Sequence, residues 1–379
     1  MDLVLAMKIL IAVNTAWNLV NFRSGLIREL VAEGYDVVAV APVDAYVTRL
    51  AELGCRFVPL PMDSHGTNPF KDALLLWRFI RLLRQERPNV YLSYTVKPNV
   101  YGTLAAHFFG VPVINNIAGL GAVFSKRGLI VRFVRGLYHL TLRRSAKVFF
   151  QNNEDRLLFV ARGLVRAEVS DLVPGSGIDL SRFHMLLPRV QESSKEKFRF
   201  LMIARMLWDK GVGEFVGASK VIHARWPQAE FCLLGFLDAQ NPGAVSNDQM
   251  DELVAQGVVY LGASDDVRTE IAVADCIVLP SYYREGTPRT LLEAAAMGRP
   301  IITTDSVGCR EVVDDGQNGY LCKVRDIKDL AEKMNRMLSL TSEERQQMSI
   351  YGRKKMEKLF DEKIVIKKYL DAIHEVCKV

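Results

Sequence analysis

Two polar segments, about eighty residues apart, contain residue types that bind phosphate groups and sugars, and each follows an apolar, strand-like run. The first segment contains Arg205, Lys210 and Gly211. Cations beside the start of a helix attract phosphate, because the free backbone N–H groups and the helix dipole also favour negative charge there. The first segment is therefore a candidate phosphate site.

The second segment adds two carboxylates and another helix start. Thr287 is predicted to be the N-cap and Pro288 the first helical residue, since proline is favoured at that position. Gly298 is predicted to end the helix. Glu285 then lies in the loop before the helix, and Glu293 lies about two turns into it.

Strand-like apolar runs alternate with helix-compatible segments along the chain, in two series. The first series comprises Lys8–Val13, Asp36–Ala41, Arg56–Leu60, Val90–Tyr94, Val111–Asn115, Val148–Gln151 and Val169–Val173. The second comprises Phe198–Ala204, Glu230–Leu234, Val258–Gly262, Cys276–Pro280 and Pro300–Thr304. This alternation predicts an α/β fold of two Rossmann-like, doubly wound domains with parallel sheets. Ligands of such sheets bind at the carboxyl ends of the strands, so a substrate is expected in a cleft between the domains.

A polar, charge-rich connector from Leu187 to Lys197 separates the two series. The predicted domains are therefore residues 1–187 and residues 188–360. The last segment, residues 361–379, has the pattern of an amphipathic helix, and we expect it to pack back onto the N-terminal domain.

The composition is that of a folded globular protein, with 379 residues of which 49% are hydrophobic and 24% charged. Its six cysteines have no metal-ligand spacing, so free thiols in a reducing cytoplasm are expected. The first residues run directly into a strand pattern without the features of a signal peptide. No run of eighteen apolar residues is present, so no transmembrane helix is predicted.

Charge is unevenly distributed. Residues 1–190 carry 23 Lys and Arg against 14 Asp and Glu, and the remainder carries 26 against 29. No acidic residue lies between Glu86 and Glu154. Within that stretch, residues 124–147 interleave cations with apolar residues, which favours contact with an anionic membrane surface, where each cation contributes about 1 kcal/mol. The alternative to membrane contact is a core helix with a solvated basic face. Binding of nucleic acid is not expected, because no recognition motif is present.

These motifs resemble those of the retaining glycosyltransferases of family 4, which have the GT-B fold. The resemblance extends from Met7 to the C-terminus. The motifs that carry it are the Glu-x7-Glu pair Glu285 and Glu293, Arg205 with Lys210-Gly211, and the flanking Ala274-Asp275, Pro280-Ser281 and Leu292-Glu293-Ala294.

A narrower likeness is to bacterial enzymes that add a hexose or N-acetylhexosamine, typically N-acetylgalactosamine, to undecaprenyl-diphosphate-linked sugars. The residues behind it are Asn21-Phe22-Arg23, the segment from Ser93 to Asn99, Gly119-Leu120-Gly121 and Gly308-Cys309-Arg310-Glu311. It implies a nucleotide-sugar donor, UDP-linked rather than GDP-linked, and a polyprenyl-diphosphate-linked acceptor. It also implies a location on the cytoplasmic face of the plasma membrane.

The resemblance implies a role for each site residue. Arg205 and Lys210 would neutralise the leaving diphosphate without a metal ion, and the sequence contains no Asp-x-Asp pair to hold one. Glu285 would face the donor sugar, and Glu293 would accept the ribose hydroxyls. The remaining donor contacts would come from Gly286, Thr287 and Pro288 near the sugar and from Gly262 and Ser264 near the base. As isolated residues, Arg205 and Lys210 could instead form surface pairs with Asp209 or Glu214.

The N-terminal domain departs from the family pattern at two places. Residues 14–23 lie where relatives have a glycine-rich loop, but this segment contains no glycine. Asn18 and Arg23 are expected to face the cleft, with a surface cation at a helix start as the alternative for Arg23. Relatives commonly have a histidine where this chain has Val96, and Lys97 or Asn99 would take over its contact with the sugar.

Two other classes of function remain open at this point. One is an isomerase similar to UDP-N-acetylglucosamine 2-epimerase, which shares the two-domain architecture. The other is a catalytically silent membrane scaffold. Neither needs all four charged residues, Arg205, Lys210, Glu285 and Glu293, together with the acid-free stretch. Glycosyl transfer is therefore the favoured hypothesis.

Overall fold

The computed structural model describes residues 6–63, 66, 68–119, 129–186, 197–239 and 241–377. The chain divides into two compact units. Unit 1 comprises Met1–Gly177 with Glu362–Val379, and unit 2 comprises Ile178–Asp361. Most of the predicted connector, residues 187–196, lies outside the described residues.

Unit 1 is built on a seven-stranded parallel sheet. Its strands are β1 (Lys8–Ala12), β2 (Asp36–Ala41), β3 (Arg56–Pro59), β4 (Val90–Tyr94), β5 (Val113–Ile117), β6 (Lys147–Phe150) and β7 (Ser170–Leu172). Their order is β3-β2-β1-β4-β5-β6-β7. Its helices are α1 (Ala16–Phe22), α2 (Ser24–Ala32), α3 (Val47–Ala51), α4 (Pro69–Glu86), α5 (Thr103–Phe108, preceded by the π-turn Pro98–Gly102), α6 (Leu129–Leu142) and α7 (Asn153–Ala161), with a 3₁₀ turn at Ala167–Val169.

Unit 2 repeats the same winding with six strands. They are β8 (Phe198–Ile203), β9 (Ala229–Leu234), β10 (Val259–Tyr260), β11 (Cys276–Leu279), β12 (Ile301–Thr304) and β13 (Gly319–Cys322), in the order β10-β9-β8-β11-β12-β13. The helices are α8 (Val212–His223), α9 (Asn247–Val254), α10 (Arg268–Val273), α11 (Arg289–Ala296), α12 (Ile327–Ser339) and α13 (Ser342–Lys355), followed by the π-turn Met356–Phe360. The helix α14 (Glu362–Cys377) follows.

The predicted doubly wound α/β fold is confirmed, and burial explains why it could be predicted. The central strands are buried on both faces, so they are continuous apolar runs, as Ile9 to Ala12 in β1 show with no exposed surface. β13 was not predicted. It has four residues and begins with Gly319, so it offers neither a long apolar run nor an alternating pattern.

The helix α14 completes the core of unit 1. The ring of Tyr369 has no exposed surface and packs against Phe149 and Tyr94, with ring centroids 4.9 and 5.8 Å apart. Its hydroxyl accepts a hydrogen bond of 3.0 Å from Asn116 Nδ2. The C-terminal segment is therefore part of the apolar core of unit 1.

The acid-free stretch obtains acidic partners from elsewhere in unit 1. Lys97 pairs with Asp72 of α4 at 2.7 Å, and Lys147 pairs with Glu375 of α14 at 3.8 Å. Residues 124–128 of the proposed membrane segment lie outside the described residues. In its described part, Tyr138 and other apolar side chains of α6 pack into the core. This part therefore matches the alternative of a core helix with a basic outer face.

The six cysteines are free thiols, and five of them are buried. Within the described ranges, no helix combines the length and the apolar character needed to cross a bilayer.

Candidate active site

The order of the strands in unit 2 reverses between β8 and β11. Successive crossovers leave in opposite directions at such a point, so the loops that follow the two strands diverge and leave a crevice. Arg205 and Lys210 follow β8, whereas Ser281 and Glu285 follow β11. The two predicted half-sites therefore meet at the ligand-binding edge of one sheet.

A glycine allows the two loops to touch. Gly211 follows the 3₁₀ turn Trp208–Lys210 and has a φ of +87°, a conformation that favours glycine. A Cβ atom at this position would lie 2.2 Å from the carbonyl oxygen of Pro280. The Asp209 carbonyl accepts hydrogen bonds of 2.9 and 3.0 Å from the N–H groups of Tyr282 and Tyr283. These contacts fix the loop after β8 against the loop after β11.

Lys210 and Glu285 form an ion pair at this junction. Lys210 Nζ donates to Glu285 Oε1, and the two side chains are only 13% and 11% exposed. Ser281 Oγ donates to the same oxygen at 3.0 Å. The Lys210 ammonium also lies 4.8 Å from the centroid of the Tyr283 ring. Lys210 is therefore a preorganised interior cation, and the alternative of a surface pair with Asp209 or Glu214 is wrong.

The neighbouring Asp209 has an unusual environment. Its Oδ1 is buried and has no hydrogen-bond partner among the described residues. Burial raises the pKa of the Asp209 carboxyl; Lys210 opposes this effect, and Glu285 adds to it. The charged form of Asp209 is therefore disfavoured beside the predicted phosphate site.

Arg205 is more accessible than Lys210. Its Nη1 lies 3.4 Å from Asp238 Oδ2, and its side chain is 38% exposed. The alternative predicted that Arg205 pairs with Asp209 or Glu214. The partner of Arg205 is instead Asp238, which follows β9. A long, half-exposed pair of this kind contributes little to stability, so its guanidinium can move to a ligand at small cost.

The second half-site differs from the prediction by one residue. The helix α11 begins at Arg289, and Pro288 is its N-cap with a ψ of 119°, so Thr287 lies outside the helix. The predicted assignment of Thr287 as N-cap and Pro288 as first helical residue is wrong. The extended ψ of Pro288 explains the shift, because an N-cap residue has non-helical backbone angles.

Gly286 lies in a tightly packed backbone region. A Cβ atom on Gly308, whose φ is +84°, would lie 1.8 Å from the Gly286 carbonyl oxygen. The turn after β12 therefore supports the loop that carries Glu285.

Glu293 lies on the first turns of α11. Its Oε1 accepts a hydrogen bond of 3.1 Å from Arg289 Nε, and the two side chains are 13% and 14% exposed. Burial raises the pKa of the Glu293 carboxyl, although Arg289 opposes the shift. The carboxylate is thus held in place by Arg289 and largely shielded from water.

Two predicted base contacts lie after β10. Gly262 has a φ of +75°, and its carbonyl already accepts a hydrogen bond of 2.8 Å from the N–H of Gly235. Ser264 is exposed, and its hydroxyl accepts a 3.2 Å hydrogen bond from the N–H of Asp266. In this structure the Gly262 carbonyl is engaged by the residue that follows β9, and the Ser264 hydroxyl is engaged within its own loop.

The predicted residues of unit 1 separate into two groups. Asn18 lies on α1, and Arg23 lies between α1 and α2. Arg23 is only 5% exposed, so the alternative of a surface cation is wrong. Lys97 is engaged by Asp72, and Val96 is 48% exposed.

Asn99 belongs to an internal hydrogen-bond network. It is 2% exposed, its Oδ1 accepts from Ser93 at 2.6 Å, and its Nδ2 donates to the Asn116 carbonyl at 2.8 Å. Asn115 Nδ2 lies 3.1 Å from the same Oδ1. In this structure the polar atoms of Asn99 are therefore used inside the sheet, and the contact of Lys97 or Asn99 with the sugar stays a prediction.

Some residues of the site were missed by the sequence-based interpretation. Ser281 was quoted only as a motif neighbour, although it binds Glu285. Gly308 was recognised only as part of the Gly308-Cys309-Arg310-Glu311 motif. Tyr283 and Asp238 gave no local signal, because Asp209 and Arg205, which they contact, are distant in sequence.

Comparison with known proteins gives two family matches on this chain. The "Glycosyl transferases group 1" model matches residues 186–355, and the "Glycosyl transferase 4-like domain" model matches residues 21–175. The division into these two domains, each on a doubly wound sheet, defines a GT-B protein. The chain belongs to the glycosyltransferases, and it is an enzyme of that kind.

Curated relatives share most of the chain. It is 29% identical over 374 residues to the N,N'-diacetylbacillosaminyl-diphospho-undecaprenol alpha-1,3-N-acetylgalactosaminyltransferase of Campylobacter jejuni, covering 94% of this chain and 96% of the relative. It is 23% identical to the UDP-Gal:alpha-D-GlcNAc-diphosphoundecaprenol alpha-1,3-galactosyltransferase of Escherichia coli, covering 80% of each. Because both relatives are glycosyltransferases, the comparison supports glycosyl transfer over the isomerase and scaffold alternatives.

Solved structures show the same fold. A glycosyltransferase from Rickettsia africae superposes with a TM-score of 0.79 at 16% identity and covers 99% of each chain. The Anabaena HepE protein, in complex with UDP and glucose, superposes with a TM-score of 0.79 at 17% identity, covering 97% of this chain and 100% of its own. The predicted GT-B fold is therefore confirmed.

Substitution of Gly211 tests the junction between the two loops. We expect Gly211→Ala to lower turnover by about a hundredfold, because the new Cβ must push Lys210 away from Glu285, and a displacement of about 1 Å has effects of this size. The measurement is steady-state sugar transfer by the purified variant.

The matched control is Gly316→Ala. Gly316 has a φ of +77° but no atom within 4 Å of its Cβ position. The control should lose about 1 kcal/mol of unfolding free energy and keep its activity. Equal losses of activity in both variants would show that backbone strain, and not the contact with Pro280, is the cause.

Proposed function

We propose that this enzyme transfers a hexose or N-acetylhexosamine, of the N-acetylgalactosamine type, from a UDP-sugar to an undecaprenyl-diphosphate-linked sugar with retention of configuration. Such a reaction belongs to glycan, O-antigen or capsule biosynthesis. The observation that carries the proposal is the Lys210–Glu285–Ser281 arrangement at the strand reversal of unit 2. The Campylobacter relative, similar along 94% of this chain, supports this class of substrate.

Negative charge develops on the diphosphate as the bond to the sugar breaks. Lys210 is already held in the crevice, and the half-exposed Arg205 can turn to the same phosphates. Preorganised cations stabilise such a transition state without reorganisation during the reaction. We therefore assign the neutralisation of the leaving group to these two residues and propose a reaction that needs no divalent metal.

The two glutamates are proposed to bind opposite ends of the donor. Glu285 is fixed by Lys210 and Ser281 and has further acceptor capacity for a hydroxyl of the sugar. The backbone of Gly286, Thr287 and Pro288 would line the same end. Glu293, held by Arg289, would accept the ribose hydroxyls. Backbone groups around Gly262 and Ser264 would contact the base.

An anionic membrane surface on the cytoplasmic side is the proposed location of the reaction, because the acceptor is a lipid. Residues 124–147 are proposed to contribute a basic face. The described part of unit 1 offers a second feature on α4, where Phe70, Leu74 and Trp77 are 86%, 45% and 54% exposed. They follow the i, i+4, i+7 spacing of one helix face. The neighbouring Arg78 and Arg81 suit anionic headgroups, as in interfacial helices.

A donor screen tests the proposed reaction. Purified enzyme is given a synthetic undecaprenyl-diphospho-sugar and each UDP- and GDP-sugar in the presence of EDTA, and the lipid mass is measured. We expect a gain of one hexose or N-acetylhexosamine with a UDP-sugar. Conversion of a UDP-N-acetylsugar to its epimer without a lipid shift would contradict the proposal. A requirement for a divalent cation would contradict the assignment of Arg205 and Lys210.

The roles of Glu293 and Lys210 can be separated. We expect Glu293→Ala to weaken UDP binding by about tenfold or more, because it removes charge-assisted hydrogen bonds. Lys210→Ala should mainly lower turnover, by about 10²–10³. Calorimetry with UDP and transfer kinetics measure the two effects, with the exposed Lys220→Ala as control. Equal losses of UDP affinity in Glu293→Ala and Lys210→Ala would contradict this division.

The surface of α4 is tested with vesicles. The double variant Phe70→Ser with Trp77→Ser should bind vesicles that contain phosphatidylglycerol at least about tenfold more weakly, because both aromatic side chains lose their apolar contact with the bilayer. Phe236→Ser in unit 2, where the ring is 49% exposed, is the matched control. Unchanged vesicle binding of the double variant would remove α4 from the contact.

A further inference from the structure

Arg23 is a buried cation for which the described part of the chain provides no counter-ion. Its side chain lies at the junction of α1 and α2 and is only 5% exposed. Its Nε has no hydrogen-bond partner, and among the described residues no carboxylate pairs with its guanidinium. Burying an uncompensated charge is costly, so proteins rarely keep one without a ligand or partner.

Stacking on an aromatic ring fixes the orientation of Arg23 but supplies no negative charge. Its guanidinium carbon lies 4.0 Å from the centroid of the Tyr94 ring. Stacking on an aromatic face leaves the edge of the guanidinium, with its N–H donors, free to bind an anion. Burial raises the pKa of Tyr94, so its hydroxyl does not act as the counter-ion.

Thr95, the next residue after Tyr94, is unusual in two further ways. It has a φ of +65°, which is rare for a β-branched residue and is a form of backbone strain found at functional sites. Its Oγ1 is buried and has no hydrogen-bond partner in the described part of the chain. The same is true of Asn18 Oδ1 on α1.

These groups lie at the strand reversal of the unit 1 sheet. β1 and β4 are neighbours there, and Ala12 is paired with Ser93. Asn18 and Arg23 follow β1, whereas Tyr94 and Thr95 end or follow β4. This is the edge where doubly wound sheets bind ligands.

We propose that Arg23 and the Thr95 hydroxyl form a phosphate subsite on unit 1, which takes the diphosphate of the lipid-linked acceptor. The choice of the acceptor rests on the proposed function, since the donor diphosphate is assigned to Arg205 and Lys210. Arg23 donates to the phosphate oxygens from its free edge, and Thr95 Oγ1 donates one further hydrogen bond. Asn18 Oδ1 accepts a hydroxyl of the adjoining sugar.

The stability of the free enzyme separates this role from a structural one. A cation that merely supports the fold would leave the protein less stable when it is removed. A cation that awaits an anion costs stability in the free enzyme, so Arg23→Gln should be at least as stable as the wild type in urea unfolding without ligand.

Kinetics supply the second readout. Arg23→Gln should raise the KM for a short-chain polyprenyl-diphospho-sugar by about tenfold to a hundredfold, while the KM for the UDP-sugar stays unchanged. Arg23→Lys should recover part of the loss, and Thr95→Val should raise the same KM by a smaller factor without loss of stability. Arg49→Gln is the matched control, because Arg49 lies 5.7 Å from the Tyr46 ring but is exposed.

Several outcomes would overturn the proposal. A destabilised Arg23→Gln with unchanged KM values would make Arg23 structural. A raised KM for the UDP-sugar alone would assign the phosphate to the donor and remove the acceptor assignment.

A binding assay tests the anion site separately from the reaction. Inorganic pyrophosphate should stabilise Lys210→Ala against thermal unfolding more than it stabilises the Lys210→Ala, Arg23→Gln double variant. Equal stabilisation of the two would overturn the anion site. If the wild-type enzyme transfers no sugar to any lipid, the proposed function fails, and this assay still decides whether Arg23 binds an anion.

Discussion

The candidate site depends on the reversal of strand order between β8 and β11. Parallel strands bring their carboxyl ends to one edge, but only at a reversal do the following loops diverge and leave room for a ligand. Residues about eighty positions apart, Lys210 and Glu285, meet there because Gly211 lets one loop approach the backbone of Pro280. Any side chain at Gly211 would separate the cation from the carboxylate, so the chemistry rests on a backbone contact.

The charged groups of the two units differ in how their burial is compensated. In unit 2, Lys210 is paired with Glu285 and Glu293 with Arg289, so each of these four buried charges has an opposite partner. Asp209 Oδ1 has no hydrogen-bond partner in the described part of the chain, and burial raises the pKa of this carboxyl. In unit 1, Arg23 has no counter-ion among the described residues, and its guanidinium stacks on the Tyr94 ring. The proposed phosphate subsite would compensate Arg23 with an anion from outside the protein.

Much of the fold and part of the site could be predicted from the sequence, and the division has a physical basis. Central strands such as β1 and β8 are buried on both faces, so their apolar runs are visible without any partner. The spacing of Glu285 and Glu293 around a helix start is equally local. The partner of Lys210, the internal network of Asn99 and the burial of Arg23 depend on contacts between distant segments. The short strand β13 and the N-cap at Pro288 differ from the predictions. The local sequence signal is weak at both places, so contacts with the rest of the fold determine where the elements begin and end.

The uneven charge distribution fits two different ways of binding diphosphates. Residues 191–379 carry a net charge of −3, yet the proposed donor site there needs positive charge only beside the diphosphate, where Arg205 and Lys210 would supply it at short range. Residues 1–190 carry +9, a field that extends over about a Debye length and favours an anionic lipid surface. In the proposed reaction, the small soluble donor is bound by local preorganised cations, whereas the lipid-linked acceptor would first be concentrated by long-range attraction and then be fixed by a single buried cation. Arg23 is the fixed point that we propose for unit 1, and the excess of positive charge in residues 1–190 would add long-range attraction to its single cation.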